Sequence, residues 1–519
     1  MTMIFKRIVA AAALLAMTFG PAATAGAAKF KLNLKLAADG KVIFDRECAA
    51  CHGISGKGDG EAAYLIYPKP RDFTSKVYKF RSTFQGDPPR RSDIVHTLRL
   101  GLPGSTMPSF ISLPDRDLKA LAEYVLSLSD FEEEAEEFPN IPAKIPPSTS
   151  VWVSKGKKAY LKYGCNKCHG DKGDGKGESA PTLRDYKKRP IPPNDYTRGV
   201  FKGGGDARSI ITRIQTGIEG TPMPSHAETM ENETDLIAIA HYVRQFSKGR
   251  DFWQPGTGMI PARRVSGEVP TRTNDERWQS VAATVIPMMQ IHNDGRPPVE
   301  VDVRALHSEK KISIRLEWDD STPDRRIVST NSFADGSAIQ FSLREQDPPL
   351  FIMGSADNLV NIWYWNAAMG RKTTGVEAKY PGMAVDDYPF AGRVYPRRKM
   401  GHAKIVSARA TKKPFISAWA AKNPNSSPFL ALPAMELNAA GFGTLRPQAP
   451  GGQHLKSTER WWKGKWRVVF TRSIQNGEKK DVKLRPGTIH PIAFAVWDGS
   501  RGDRNGQKSV TTWYKIRIE

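Results

Sequence analysis

Cys48-Ala49-Ala50-Cys51-His52 and Cys165-Asn166-Lys167-Cys168-His169 are the stretches that decide how this 519-residue chain is read. They contain all four of its cysteines. In an exported protein four cysteines would ordinarily make two disulfides. Here each Cys-x-x-Cys pair runs directly into histidine, which is the attachment signature of a c-type haem. One helical turn sets the two thiols on one side, where they reach the two vinyl groups along a porphyrin edge. The adjacent imidazole then points at the iron. Zinc would need four ligands closing on one ion, whereas the two pairs lie 117 residues apart. A thioredoxin-like motif would lack the systematic histidine. The cofactor expected is therefore two covalent haem c groups: Cys48 and Cys51 with His52 on iron, and Cys165 and Cys168 with His169 on iron.

Each iron needs a sixth ligand from a distal loop. Gly101-Leu-Pro-Gly-Ser-Thr-Met107-Pro108-Ser109 and Gly217-Ile-Glu-Gly-Thr-Pro-Met223-Pro224-Ser225 repeat one another. Cys48 precedes Met107 by 59 residues and Cys165 precedes Met223 by 58. Glycine and proline shape the loop, and a thioether is a soft ligand for iron. Met107 and Met223 are the expected axial ligands, with His96 and His226 as competitors. A Met/His pair raises the reduction potential relative to bis-His ligation.

The repeat extends further. Gly40-Lys-Val-Ile-Phe44 corresponds to Gly156-Lys-Lys-Ala-Tyr160, and Asp117–Val125 corresponds to Asp235–Val243. Leu118, Leu121, Val125 and Leu128 keep helical spacing. This order of helix, haem motif, Met loop and helix resembles class I cytochrome c over residues 30–130 and 151–250. The resemblance implies two all-α domains.

Around these units the chain divides into a signal peptide (1–27), a first cytochrome domain (28–130), an acidic and proline-rich linker (131–150), a second cytochrome domain (151–250) and a C-terminal region (251–519). Lys6-Arg7, the apolar run Ile8–Phe19 and the small residues after it form the secretory signal. That run is short for a bilayer span, so the chain is expected in the periplasm and not as an integral membrane protein. A formal net charge of +23 would suit nucleic acid, which an exported protein rarely meets. A small acidic cytochrome or another redox partner fits it better. Glu132–Glu137 and the prolines from Pro139 to Pro147 read as an exposed connection.

Beyond Phe252 the periodicity changes from helical to alternating. Lys311-Ile-Ser-Ile-Arg-Leu-Glu-Trp318 puts Ile312, Ile314, Leu316 and Trp318 on one face. Further strands are expected at Val299–Ala305, Ala338–Leu343, Trp466–Ile474, Pro491–Trp497 and Thr511–Ile518, giving an all-β antiparallel sandwich. His292, His307, His402, His454 and His490 have no metal-ligand spacing.

Several segments of this region resemble the haem b-binding γ subunits of ethylbenzene dehydrogenase and its relatives, which include dimethylsulfide dehydrogenase and the selenate and chlorate reductases. They are Ile314–Asp320, Phe333–Phe341, Phe351–Gly354, Asn361–Trp365, Phe494–Gly499 and Arg504–Trp513. The resemblance implies one non-covalent haem b between Met353 and Lys508, in a pocket that Trp363, Tyr364 and Trp365 could line. It also implies catalytic molybdenum and iron–sulfur subunits as partners, with the chain itself a relay and not the catalyst. The N-terminal cytochrome pair and a long basic insertion near 370–460, with Arg397-Arg398-Lys399 and Lys412-Lys413, depart from that family. Two other readings stand beside it: a di-haem peroxidase-like enzyme, which the matched Met loops disfavour, and a di-haem cytochrome tethered to a haem-free ligand-binding sandwich.

Overall fold

The computed structural model describes residues 29–66, 68–230, 232–247, 258–291, 299–325, 331–346, 348–370, 432–474 and 478–519. The signal peptide, His292, His402 and the basic clusters at 397–399 and 412–413 lie outside them.

The first helical unit pairs α1 (Leu34–Glu47) with α4 (Asp115–Ser127), and the second pairs α5 (Ser150–Lys162) with α8 (Glu233–Gln245). Side-chain caps start three of these helices. Asn33 Oδ1 accepts from Leu36 N at 3.0 Å, Thr149 Oγ1 from Trp152 N at 3.3 Å and Asn232 Oδ1 from Thr234 N at 2.9 Å. Each pair crosses where a glycine meets backbone. A Cβ on Gly40 would lie 2.0 Å from Ala120 O, and one on Gly156 would lie 2.0 Å from Ala238 O. That contact explains why the repeat keeps glycine at both positions. Phe44, Leu118, Leu121 and Leu126 are buried in the first core, and Tyr160, Leu236 and Ile239 in the second.

The two units dock through the second Met loop. Glu219 accepts from Tyr78 N (3.0 Å) and Gly86 N (3.2 Å) and pairs with Arg81 (2.9 Å). Arg213 Nη2 donates to Arg81 O at 2.5 Å. The connection between the units is only partly exposed. Ile141 and Ile145 pack on the second core, and Arg208 Nη2 donates to the carbonyls of Pro142 and Ala143.

The C-terminal half is a large sheet region. In β5 (Lys311–Asp319) the expected alternation holds: Ile312, Ile314 and Leu316 are fully buried and Trp318 nearly so. β5 pairs with β4 (Glu300–His307) on one side and β11 (Lys465–Ser473) on the other, both antiparallel. Two junctions are not antiparallel. β1 (Met259–Arg264), the first strand after the cytochrome units, lies parallel to β4 and to β14 (Tyr514–Ile518). Parallel neighbours need long crossovers, and β1 reaches its place from another domain, so local turn signals could not reveal it.

The sandwich buries two apolar clusters. The main one holds Ile314, Leu316, Trp318, Trp363, Trp365 and Trp466. The other holds Met289, Phe351, Val360, Ile362, Val510 and Trp513. Beside them Arg472 is fully buried, with Nη1 at 2.9 Å from Glu436 and 3.3 Å from Asp481. Among the described residues no helix is long and apolar enough to cross a membrane.

Candidate haem sites

α1 ends at Cys48, whose N–H caps it by donating to Phe44 O at 2.8 Å. The next turn, α2 (Ala49–His52), carries Cys51 and His52. Gly53, at φ +76°, turns the chain away immediately afterwards. His52 Nδ1 lies 3.0 Å from Arg71 O, and its ring stacks on Phe73 with centroids 4.6 Å apart. A carbonyl on Nδ1 fixes the tautomer and leaves the Nε2 lone pair for a metal. Burial pushes the imidazole pKa down to about 4, which keeps it neutral.

The second motif copies this design. α6 (Asn166–His169) carries Cys168 and His169, and Gly170 follows at φ +76°. His169 stacks on Tyr196 at 4.8 Å, and burial again brings its pKa to about 4. Its Nδ1 faces the backbone of Asn194, the counterpart of Arg71, without closing a well-formed hydrogen bond.

The Met loops are also built alike. Leu102 N donates to Met107 O and Ile218 N to Met223 O, both at 3.0 Å. Ser105 Oγ and Thr221 Oγ1 each accept from the methionine N–H at 3.2 Å. Gly101 and Gly217 sit at φ +67° and +66°, each with the following Pro-Ser backbone 2.6 Å from a would-be Cβ. Methionine and histidine of both domains line one continuous cavity of about 880 Å3 together with all four cysteines. His226 lines it as well, whereas His96 borders a separate side cavity of about 150 Å3.

The cavity fits haem in a further respect, because its walls carry half-buried positive charge that no carboxylate neutralises among the described residues. Lys79 and Lys202 follow the stacking aromatics Phe73 and Tyr196 by six residues in each repeat. Both line the cavity, and among the described residues neither is ion-paired. Burial, with Arg71 and Lys202 nearby, lowers the Lys79 pKa to about 8, and burial lowers that of Lys202. Arg213 also lines the cavity, and its Nε and Nη1 are buried without hydrogen-bond partners. Buried cations call for anions, and the propionates of a haem supply them. Sequence reading missed this set, although the matching six-residue offset was visible.

In the sandwich, Met353 packs against the smaller apolar cluster, and Lys508 lies over Trp497 at its edge. Met353 has φ +67°, a left-handed backbone that an unbranched L-residue adopts at some cost. It packs beside Phe351, two residues earlier. Lys508 Nζ sits 4.8 Å from the centre of the Trp497 ring, and burial pushes its pKa down to about 8, towards the neutral amine that metal ligation needs. Trp497 meets Tyr364 edge-on at 5.6 Å, and both belong to the cluster that includes Met353. Of the three aromatics expected beside Met353 only Tyr364 joins its cluster. Trp363 and Trp365 point to the opposite face, into the main core, as strand alternation requires.

Residues 37–129 and 153–247 match the family model for cytochrome c, and residues 275–509 match the one for ethylbenzene dehydrogenase. The chlorate reductase subunit gamma of Ideonella dechloratans is 24% identical over 41% of this chain and 63% of its own length. The dimethylsulfide dehydrogenase subunit gamma of Rhodovulum sulfidophilum is 26% identical over 44% of this chain and 63% of its own length. A Haloferax mediterranei protein whose name describes a respiratory nitrate reductase heme subunit is 25% identical over 49% of this chain and 71% of its own. The chain thus spans roughly two thirds of these relatives. A chain of the Kuenenia stuttgartiensis reducing HAO-like protein complex aligns at 35% identity over 42% of this chain and 99% of its own, with a TM-score of 0.39. The chain thus carries two segments that match cytochrome c, followed by one that matches ethylbenzene dehydrogenase.

Proposed function

We propose that the protein is an exported electron-transfer subunit that carries two covalent c haems and one haem b. It would pass electrons between the molybdenum and iron–sulfur subunits of an oxidoreductase and a small periplasmic cytochrome. The observation that carries this reading is the common cavity, onto which two Cys-x-x-Cys-His turns and two Met loops open. Bound haem supplies one-electron exchange between ferrous and ferric iron, and the chain's own residues govern everything else. Arg71 O holds the Nδ1 proton of His52, so that Nε2 faces the cavity as a neutral donor. Met107 and Met223 would hold the irons from the Met loops, filling the coordination a substrate would need, which suits outer-sphere transfer. Lys79 and Lys202 would neutralise propionates, and Phe73 and Tyr196, stacked on the histidines, would shield them from water. In the sandwich Met353 and Lys508 would hold haem b, and the relatives named as gamma and heme subunits support that reading.

The test is a haem count on mature protein made in a host that attaches c haems. Acid–acetone extraction and pyridine haemochrome spectra are expected to give two covalent haems and one extractable haem b. Met353→Ala and Lys508→Ala are expected to lose only the b signal. Two covalent haems with nothing extractable, in haem-saturated protein, would turn the sandwich into a haem-free binding module.

A further inference from the structure

The first cytochrome domain is fastened to the sandwich by the residues that directly follow its Met ligand. Ser109 O accepts from Thr512 Oγ1 at 2.5 Å, and Ser112 Oγ donates to the carbonyl of Trp513. Between them Ile111 packs against the main core of the sandwich. Gly258 closes on the same segment, 3.2 Å from Ile111 when a Cβ is added.

On the sandwich side the same short run leads back to Lys508. Lys508 O accepts from Ile291 N at 3.1 Å, and Val510 pairs with Met289. Trp513 is buried in the cluster that Met353 borders, and its Nε1 donates to Pro349 O at 2.6 Å. Met289 and Phe351, from that cluster, also form part of the wall of the cytochrome cavity. One layer of side chains therefore separates the two kinds of site.

The second domain is built differently at this point. Its counterparts of Ile111 and Ser112 are Ala227 and Glu228. Its Met loop instead carries Glu219, which binds the first domain.

We infer that Trp513, whose carbonyl is held by Ser112 of the first domain, is the bridge between the sandwich site and the first cytochrome site, so that the first domain is the inner station of the relay and the second the outer one. This rests on the haem b reading given above. Each transfer is a single electron: the donor iron goes from ferrous to ferric, the acceptor iron from ferric to ferrous, and no proton or further reactant is needed.

The experiment uses the full chain loaded with haem, its b and c content first confirmed by haemochrome spectra. Pulse radiolysis adds one electron, and the separate α-bands of b and c haem follow its redistribution. Met107→His lowers the potential of the first c haem and is expected to slow exchange between haem b and the second c haem at least tenfold. Trp513→Leu is expected to slow b-to-c exchange several-fold while the midpoint potentials hold, and Trp513→Phe to restore most of the rate. Unchanged exchange with the second c haem in Met107→His would overturn the order, since haem b would then reach the outer domain directly. Unchanged exchange in Trp513→Leu would overturn the bridge. A wild-type protein without extractable haem b would fail at the first spectrum, and so would identify the haem b reading as the fault.

Discussion

Asp320→Asn should make the sandwich more stable at pH 8 than the native carboxylate does. Asp320, Asp335 and Asp498 bring carboxylate oxygens within 4.8 Å of one another. Asp320 Oδ1 accepts from Thr322 N, but Oδ2 is buried with no partner. Burial, then repulsion from Asp335 and Asp498, raises the Asp320 pKa to about 8, and burial raises that of Asp335 to about 7. A carboxyl raised on folding binds more protons in the native state than in the unfolded one. Stability is therefore complete below the unfolded value near 3.8 and is lost as pH climbs towards about 8. At about 1.4 kcal/mol per pH unit, the loss by pH 7 is at most about 4 kcal/mol, part of it shared with Asp335. Asparagine keeps the acceptor for Thr322 N and removes the charge. Thermal unfolding followed by near-ultraviolet circular dichroism at pH 5 and pH 8, in chelator-treated buffer, measures the effect. The native protein should lose on the order of 10 °C between those pH values and the variant much less. A native midpoint that does not move with pH, or a variant that keeps the native slope, would refute the argument.

Removing a buried cation from the haem cavity, as in Lys79→Met or Lys202→Met, should favour the ferric state. A redox titration should show the c-haem midpoint potential falling by on the order of tens of millivolts. Gly156→Ala places a methyl group 2.0 Å from Ala238 O, so overpacking should cost about 1–3 kcal/mol. Reduced c-haem content and a lower unfolding midpoint for the second domain would report it. Arg472→Met leaves Glu436 buried without its cation, and chemical denaturation should show a loss of about 3–5 kcal/mol in the sandwich.

What could be read from sequence was what depends on short spacing. The haem motifs, the Met loops and the paired helices are local patterns fixed by thiol reach and helical period. The structure places these residues on one cavity. The β5 alternation was equally plain. Trp363 and Trp365 share their aromatic character with Tyr364, but the two-residue period of the strand sends them to the opposite face. Docking was invisible for a different reason. It depends on single residues such as Glu219 and Ile111, whose partners lie in other domains, and no periodicity marks them. The entry of β1 as a parallel strand belongs to the same class, because its neighbours come from distant parts of the chain.

The shared cavity also sets an order of assembly. Cys48 is buried, and Cys51, Cys165 and Cys168 line the same cavity. An enzyme that joins porphyrin to these thiols needs the motifs open to it, so both attachments must precede the closing of one domain on the other. Glu219 and Arg213 then act as a latch on a finished product. In the unfilled cavity the Lys202 charge disfavours the Lys79 charge, and carboxylates of bound cofactors would offset both. The charge of the cofactors would thus favour the closing of one domain on the other.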